Sequence, residues 1–122
     1  MIADGLVIRR NKKGRAVYTT RPFKRGAIVT ECTMLVWPID QPADNFVGKY
    51  LWTWADSGVH HMREALCLGI ASLFNHSNTP NTGARRLYKQ TKMVFRALRD
   101  IEQGEEVVID YGPAADEFQV IE

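Results

Sequence analysis

The sequence predicts a mostly β domain, built from short twisted sheets with little helix. Short segments rich in β-branched and aromatic residues alternate with glycines, prolines and aspartates, a pattern typical of strands separated by turns. Residues 21–29 and 99–107 also resemble each other, because in both an apolar residue precedes a glycine turn that leads into an apolar segment. We interpret the two copies as similar turn-plus-strand units packed in one β core, since two copies are too few for a solenoid.

The strands are expected to be short and to follow one another closely. The predicted strands are residues 6–9, 16–20, 27–32, 34–37, 87–89, 93–98 and 107–111. Residues 90–92 would turn the fifth of them back onto the sixth as a hairpin. Residues 66–74 are apolar throughout, so they predict a strand, a helical turn or both. Residues 39–58 form the loosest region, with an aromatic segment that has no clean periodicity.

Length and composition indicate a single folded domain over residues 1–122. A chain of 122 residues is long enough to bury a core without disulfide support. Its 45% hydrophobic and 25% charged residues are ordinary for a globular protein and argue against disorder. We expect the core to span about residues 6–112, with residues 113–122 as a short acidic tail.

The two cysteines and the absence of targeting signals predict an intracellular, soluble protein. Cys32 and Cys67 are too few for a disulfide framework or an unaided structural zinc site. Two free thiols fit a reducing compartment, although the sequence leaves a single disulfide open. No signal peptide and no stretch apolar enough to cross a bilayer is visible, so no membrane contact is expected.

The charge balance argues against nucleic acid as a partner. The net charge is only +2, and most basic residues are scattered. The exception is a cluster in and beside the predicted turn of residues 11–14, formed by Arg9, Arg10, Lys12, Lys13 and Arg15. This cluster is either a solvated turn or a contact for an anionic ligand or a partner.

Two polar segments are the most informative part of the chain. Residues 73–81 read LFNHSNTPN and residues 104–112 read GEEVVIDYG. Each places amide, imidazole, hydroxyl or phenol groups at the end of an apolar element. Because loops on a rigid scaffold usually carry function, the two segments predict one shared site.

These segments resemble the signature motifs of SET-domain protein-lysine methyltransferases. The pattern NHSxxPN at residues 75–81, followed by GEExxxDY at residues 104–111, occurs in the family's order, and the resemblance covers about residues 7–111. It is closest to the minimal stand-alone SET protein of a chlorella virus. The resemblance implies a β-clip-like SET fold with a knot-like crossing, in which the Asn75 segment lies beneath the segment after Tyr111.

The resemblance implies an enzyme that transfers a methyl group from S-adenosylmethionine to a lysine amine of a protein, such as a histone tail. The alternative is a catalytically silent SET module that binds a peptide or another protein partner. The viral relative is similarly short and pairs as a dimer, so a homodimer is expected. The cytoplasm or the nucleus is the expected location, and the host nucleus if the source is viral.

The resemblance assigns catalytic roles to two tyrosines. Tyr111 would orient the lysine amine and the methyl group without itself ionising, and Tyr50 would lie beside the lysine channel. Such a phenol contributes by holding reactants in near-attack geometry. Without the resemblance, Tyr111 is an ordinary half-buried aromatic at the end of a strand.

The resemblance also assigns the binding site for the methyl donor. Asn75 would bind the amino-acid end of the donor, His76 would meet the adenine largely through its backbone, and Phe118 would cover the adenine or be a loosely packed terminal aromatic. Gly14, Arg15 and Ala16 occupy the position of the family's donor loop, where Gly-x-Gly is usual. If that loop needs a positive φ, Ala16 costs on the order of 1 kcal/mol. By itself, NHS also fits a turn or a helix cap.

Three further residues are assigned to the substrate side, and no metal is expected. Trp52 and Trp54 alternate and so share one face of a strand, where they either pack in the core or line a peptide groove. Ile109 lies near a position where SET families tune the number of methyl groups. The cysteine-rich, zinc-binding tail of many relatives is absent, since no cysteine follows Cys67. The active-site wall would then come from Phe118, the bound peptide or a second subunit.

Overall fold

The described residues of the computed structural model, 4–38, 50–54 and 63–110, form nine strands and two short 3-10 helices, with no α-helix among them. The strands are β1 Leu6–Asn11, β2 Gly14–Thr19, β3 Ile28–Pro38, β4 Leu51–Trp54, β5 Arg63–Leu68, β6 Asn75–His76, β7 Thr82–Leu87, β8 Lys92–Ala97 and β9 Val108–Ile109. The 3-10 helices are Ile70–Leu73 and Tyr88–Gln90. Neither is long or apolar enough to cross a membrane. The predicted mostly β fold is confirmed.

The strands form three sheets. β1 and β2 make an antiparallel hairpin, and the strand order of the largest sheet is β4-β5-β3-β8-β7, also antiparallel. The third sheet pairs β6 with β9 in parallel. The hairpin turns where Gly14 adopts a φ of 110°, a conformation that glycine takes without steric cost. The side chain of Asn11 closes this turn by accepting a 2.8 Å hydrogen bond from the backbone N–H of Lys13.

The core lies on one face of the five-stranded sheet. Along β3, buried Cys32 and Met34 alternate with exposed Thr33 and Leu35, as the two-residue period of a strand requires. Phe95 of β8 is fully buried and meets Phe74 edge to face, with ring centroids 5.3 Å apart. This aromatic contact joins the sheet to the segment that leads into β6, so the core directly supports β6.

The internal similarity corresponds to a direct contact between the two units. Phe23 and Ile101 form an isolated antiparallel bridge with backbone hydrogen bonds of 2.9 and 2.8 Å, and their side chains are 2% and 1% exposed. The glycine that follows each of them, Gly26 or Gly104, has a φ of 85° or 88°, respectively. The interpretation as two similar units packed in one core is therefore confirmed.

The expectation of two free thiols is wrong, because Cys32 and Cys67 form a disulfide between β3 and β5. Their Cα atoms lie 6.1 Å apart, and both side chains are buried. Gly69 leaves the space that this pair needs, since a Cβ there would lie 3.0 Å from the Cβ of Cys32. The sequence left this pairing open, and the register of β3 against β5 produces it.

Some element boundaries differ from the predicted ones. β3 is one strand of 11 residues where two strands were predicted, because β8 pairs along its first half and β5 along its second. Residues 66–74, predicted as a strand, a helical turn or both, contain the end of β5 followed by a 3-10 helix. The predicted last strand is shorter, since β9 contains only Val108 and Ile109.

Candidate active site

The two polar segments meet in the parallel pairing of β6 and β9. Asn75 aligns with Val108, and His76 aligns with Ile109. The next residue, Ser77, donates its backbone N–H to the carbonyl of Ile109 at 2.8 Å. Buried Phe74 precedes β6, and the side chain of Ile109 is 1% exposed, so apolar packing holds both strands in place. The two segments therefore lie together as predicted, and their function as a shared site stays a prediction.

A buried asparagine fastens the same two segments together. Asn81, 1% exposed, donates from Nδ2 to the carbonyl of Glu106 at 2.8 Å. Its Oδ1 accepts from the backbone N–H of Val108 and from the hydroxyl of Thr82, both at 3.0 Å. A buried amide with partners on both ends is a rigid link, because breaking it would leave polar groups unsatisfied. The last residue of NHSxxPN therefore has a structural role that sequence reasoning missed.

A cavity of about 340 Å³ opens beside this junction. Among the predicted site residues, Tyr50, Trp52, Asn75 and Ile109 line it. A neighbouring cavity of about 210 Å³ shares Tyr50 and Asn75 with the first and is also lined by Gly14 and Arg15. Six predicted site residues thus line one or both of these neighbouring cavities. The larger cavity falls within the usual size range of small-molecule sites.

One side of this region is polar. Asn75 donates from Nδ2 to the Glu106 carboxylate at 2.8 Å and to the carbonyl of Arg15 at 3.2 Å. The Lys13 ammonium lies 3.3 Å from the other oxygen of Glu106 and lines both cavities. We call these four residues, Lys13, Arg15, Asn75 and Glu106, the polar wall.

Ala16 departs from the family's glycine pattern without strain. It lies within β2, paired with Arg9, and is fully buried. Of the described residues other than glycine, only Thr91 has a positive φ, so Ala16 keeps an ordinary extended backbone. The cost of about 1 kcal/mol attached to a positive φ at this position therefore does not arise. Ala16 lines neither cavity.

The larger cavity also has aromatic and apolar lining. Tyr50, just before β4, and Trp52, within it, are half-buried, and buried Ile109 lines the same cavity. Trp52 packs edge to face on Phe95, with ring centroids 6.1 Å apart. The Arg86 guanidinium lies 5.4 Å from the centre of the Trp52 ring, within reach of a cation–π contact. We call Tyr50, Trp52 and Ile109 the aromatic wall.

The two predicted tryptophans have different surroundings. Trp54 is 1% exposed, stacks edge to face on Tyr88 at 5.0 Å and lines neither cavity. Trp52, two residues earlier, is half-buried and lines the larger cavity. Of the two alternatives that the sequence left open, Trp54 has the environment of a core residue and Trp52 that of a cavity residue.

The remaining predicted site residues are His76, Tyr111 and Phe118. The His76 ring is exposed, with Nε2 3.0 Å from the Asn78 side-chain oxygen and Nδ1 3.8 Å from Asp110. It lines neither cavity. Tyr111 and Phe118 lie outside the described residues, as does the segment of the knot-like crossing after Tyr111. Tyr111 comes two residues after the cavity-lining Ile109 in sequence.

No metal centre is visible in the part of the chain that the structure describes. Across residues 4–38, 50–54 and 63–110, no three His, Cys, Asp or Glu side chains are grouped closely enough to hold an ion. The absence of a metal requirement stays a prediction.

Sequence reasoning missed two residues that line the cavities, Lys13 and Ser72, and Glu106, which lines neither but bonds to residues that do. Lys13 was noted only within the basic turn, where contact with an anionic ligand was one of two alternatives. Glu106 belongs to the second motif, but nothing in the sequence shows that it reaches Asn75. Ser72 also lines both cavities, and its hydroxyl donates to the carbonyl of Cys67, next to the disulfide. The sequence offered only one indication of a role for Ser72, namely its position just before the first motif.

Comparison with known proteins identifies the family. The SET domain model matches residues 14–112, and the chain therefore belongs to the SET-domain family. The match runs from Gly14 to the residue after Tyr111, so it spans both motifs, the aromatic wall and all of the polar wall except Lys13. The family predicted from the two motifs is confirmed.

Three relatives carry methyltransferase names. The H3 lysine-37 specific histone-lysine N-methyltransferase of Schizosaccharomyces pombe is 24% identical over 83% of this chain and 68% of its own length. N-lysine methyltransferase KMT5A-A of Danio rerio is 27% identical, and histone-lysine N-methyltransferase Set8 of Drosophila melanogaster is 30% identical. These two matches cover 91% and 93% of this chain but only 36% and 18% of the relatives, so the chain spans a minor part of both proteins.

A solved structure shares the fold. The crystal structure of a candidate histone methyltransferase from Plasmodium falciparum superposes with a TM-score of 0.74, covering 92% of this chain and 96% of that one. At 21% identity this likeness concerns the fold alone. It agrees with the predicted SET architecture of short sheets.

Proposed function

We propose that this chain transfers a methyl group from S-adenosylmethionine to the side-chain amine of a lysine in a protein, with histones as the substrate class. The observation that carries the proposal is the meeting of the Asn75 and Ile109 segments at one cavity with a polar and an aromatic wall. The methyltransferase names of three relatives support it.

The cavity suits two chemically different groups, the amino-acid end of the donor and the lysine side chain of the substrate. Two residues of its polar wall, Lys13 and Asn75, line it with an ammonium and an amide, which fit a charged amino-acid group. Its aromatic wall offers apolar surface, which suits a lysine side chain that must shed water. When bound, the donor supplies a methyl group on a positively charged sulfonium.

The chain's own task is to present the lysine as a neutral amine. With an ordinary lysine pKa near 10.4, only about 0.04% of the amine is neutral at pH 7, a cost of about 4.6 kcal/mol. An apolar channel formed by Tyr50, Trp52 and Ile109 lowers the lysine pKa, because burial disfavours the charged form. The Tyr50 and Tyr111 hydroxyls would then orient the amine for attack.

The remaining site residues divide in the same way between the methyl donor and the lysine substrate. Gly14, Arg15 and Asn75 would hold the donor's amino-acid end, with His76 and Phe118 near the adenine. Ile109 would help to set the number of methyl groups, and Trp52 would contact the peptide. We further propose an intracellular location in the cytoplasm or the nucleus, no metal requirement, no nucleic-acid partner, and a homodimer.

The proposal is tested by donor binding followed by transfer. Calorimetry with S-adenosylmethionine and S-adenosylhomocysteine should show binding to the purified chain. Incubation with radiolabelled donor, core histones and cell lysate should label a protein, with the modified lysine identified by mass spectrometry. No binding at millimolar ligand would rule out the enzyme. Binding without transfer to any protein would instead support the catalytically silent module. Transfer that survives a chelator would agree with the absence of a metal.

A further inference from the structure

Glu106 connects the polar wall to the fold through two separate sets of bonds. Its backbone forms an antiparallel bridge with Tyr18, and its carbonyl accepts from buried Asn81. Its side chain is 17% exposed, and the carboxylate takes no part in these backbone bonds but contacts Asn75 and Lys13. A change confined to the carboxylate therefore leaves the backbone bonds in place.

The carboxylate fixes which way the Asn75 amide faces. An ionised carboxylate and a backbone carbonyl are acceptors only, so the two groups bonded to this amide, Glu106 Oε2 and Arg15 O, must both face its NH2 end. Both N–H hydrogens of Asn75 are then committed, and Oδ1 must face the other way. Within the described residues, no donor lies within hydrogen-bond distance of that oxygen. Asn75 therefore presents an acceptor, which suits an ammonium group.

The same carboxylate also places a positive charge beside that acceptor. Lys13 Nζ is held 3.3 Å from Glu106 Oε1, and Lys13 and Asn75 line the same two cavities. This pair complements a zwitterion. The ligand's ammonium would bond to the Asn75 acceptor, and its carboxylate would pair with the Lys13 ammonium. One side chain thus organises both halves of this recognition.

We propose that Glu106 is a positioning residue that orients Asn75 and Lys13 toward the zwitterionic amino-acid end of the methyl donor. This inference rests on the proposed function. Glu106 itself does not touch the donor and acts through its two partners. A purely structural role would instead affect all ligands of the cavity equally.

The test compares Glu106→Gln with Glu105→Gln, a matched loss of one charge at the adjacent residue. Glu105 pairs with Arg99 and lines neither cavity. Calorimetry is done with S-adenosylhomocysteine and with 5′-methylthioadenosine, which lacks the amino-acid end. Loss of a charge-assisted hydrogen bond should weaken S-adenosylhomocysteine about tenfold or more in Glu106→Gln. Methylthioadenosine affinity should stay within about twofold of the wild type, and Glu105→Gln should match the wild type for both.

A double-mutant cycle with Asn75→Ala shows whether Glu106 acts through Asn75. In the Asn75→Ala background, Glu106→Gln should cost much less than in the wild type, because its main partner is already gone. Thermal unfolding of each variant checks that the fold is kept. Three outcomes would each overturn the positioning role. Glu106→Gln could weaken the binding of both ligands equally, or it could bind both with wild-type affinity. The third is that the binding free-energy losses of the two substitutions add in full. If the wild type binds neither ligand, the proposed function fails first and the positioning role fails with it.

Discussion

The polar wall and the aromatic wall of the cavity are built in different ways. The polar wall is a set of side-chain bonds between distant parts of the chain: Asn75 and Glu106 are separated by 31 positions, and Asn75 and Arg15 by 60. The aromatic wall combines Tyr50, just before β4, with Trp52 on β4 and Ile109 on β9, and Trp52 is held by a ring contact with Phe95 of the sheet. The polar wall is defined by directional hydrogen bonds, and the aromatic wall is defined by the packing of its side chains.

This difference suggests a division of labour. A hydrogen-bonded wall discriminates charged groups, because an unsatisfied polar partner is costly. An apolar wall discriminates by volume and excludes water, and small changes in it are tolerated better. If the walls serve donor and lysine respectively, substitutions in one should leave binding at the other nearly unchanged. The predictions below test this separation, from the largest expected effect to the smallest.

Reduction of the Cys32–Cys67 disulfide should weaken both walls together. The bond links residues separated by 35 positions, for which the chain-entropy estimate is about 4 kcal/mol of unfolding free energy. β5 pairs with β4, which carries Trp52, and leads into the 3-10 helix before β6, which carries Asn75. Both walls are therefore connected to β5. Urea unfolding of the wild type with and without reductant measures the loss. The Cys32→Ala/Cys67→Ala variant should be insensitive to reductant, and an unchanged wild-type midpoint would contradict the prediction.

Tyr111→Phe should remove most methyl transfer while leaving donor binding intact. Removal of one well-placed polar group at a reacting centre typically costs about 100- to 1000-fold in turnover, or about 3–4 kcal/mol. The loss should appear in kcat and not in the donor's Kd, because the hydroxyl acts on transfer geometry. Tyr18→Phe is the control, since Tyr18 bonds to Asn11 and lines neither cavity. Near-normal turnover of Tyr111→Phe would make Tyr111 a structural aromatic.

Asn75→Ala should act on the polar wall alone. Loss of a partner for a charged group typically costs about 1.5–3 kcal/mol, so donor affinity should fall about ten- to a hundredfold. The KM for a peptide substrate should stay close to that of the wild type. Calorimetry and steady-state kinetics give the two values. A parallel loss of peptide recognition would show that the walls are not separate.

Trp52→Leu should act on the aromatic wall alone and have the smallest effect. We expect peptide binding to weaken by about 1–2 kcal/mol, as for an aromatic residue outside a central hot spot, and the peptide KM to rise accordingly. Donor affinity should stay unchanged. Trp54→Leu is the contrasting variant, because Trp54 is buried in the core. It should lower the free energy of unfolding by about 2–4 kcal/mol instead. Equal stability losses in both variants would assign Trp52 to the core as well.

The sequence predicted the elements of the fold that depend on local pattern. Residues 21–29 and 99–107 were recognised as similar units, and the contact between Phe23 and Ile101 agrees. The two motifs were expected to share a site, and β6 pairs with β9. In both cases the signal was a pattern of turn residues and apolar positions, which local chemistry determines.

Features that depend on strand register could not be predicted. The disulfide requires Met34 to lie opposite Cys67, and a shift of one residue would turn these side chains to the other face. The length of β3 likewise depends on its two neighbours, since pairing carries it past the expected break at Thr33. Neither neighbour is adjacent to β3 in sequence.

The polar wall shows the same limit at the level of the site. Asn75 was predicted from its motif, and Glu106 lies in the other motif, yet their contact arises only when β6 and β9 align. Lys13 joins them from the hairpin turn between β1 and β2, so three separate segments must fold before the wall exists. The sequence predicted Arg15 and Asn75 as site residues, whereas tertiary structure alone supplied Lys13, Glu106 and the bonds among the four.

The parallel pairing of β6 with β9 also makes site assembly a late, long-range event in folding. Contacts between distant segments are entropically expensive and form slowly compared with hairpins. The Ser77 amide, bonded to the carbonyl of Ile109, is then a natural reporter in hydrogen exchange, because it is protected only while the two segments are joined. A ligand that binds only the joined form would slow exchange of that amide in proportion to its concentration over Kd.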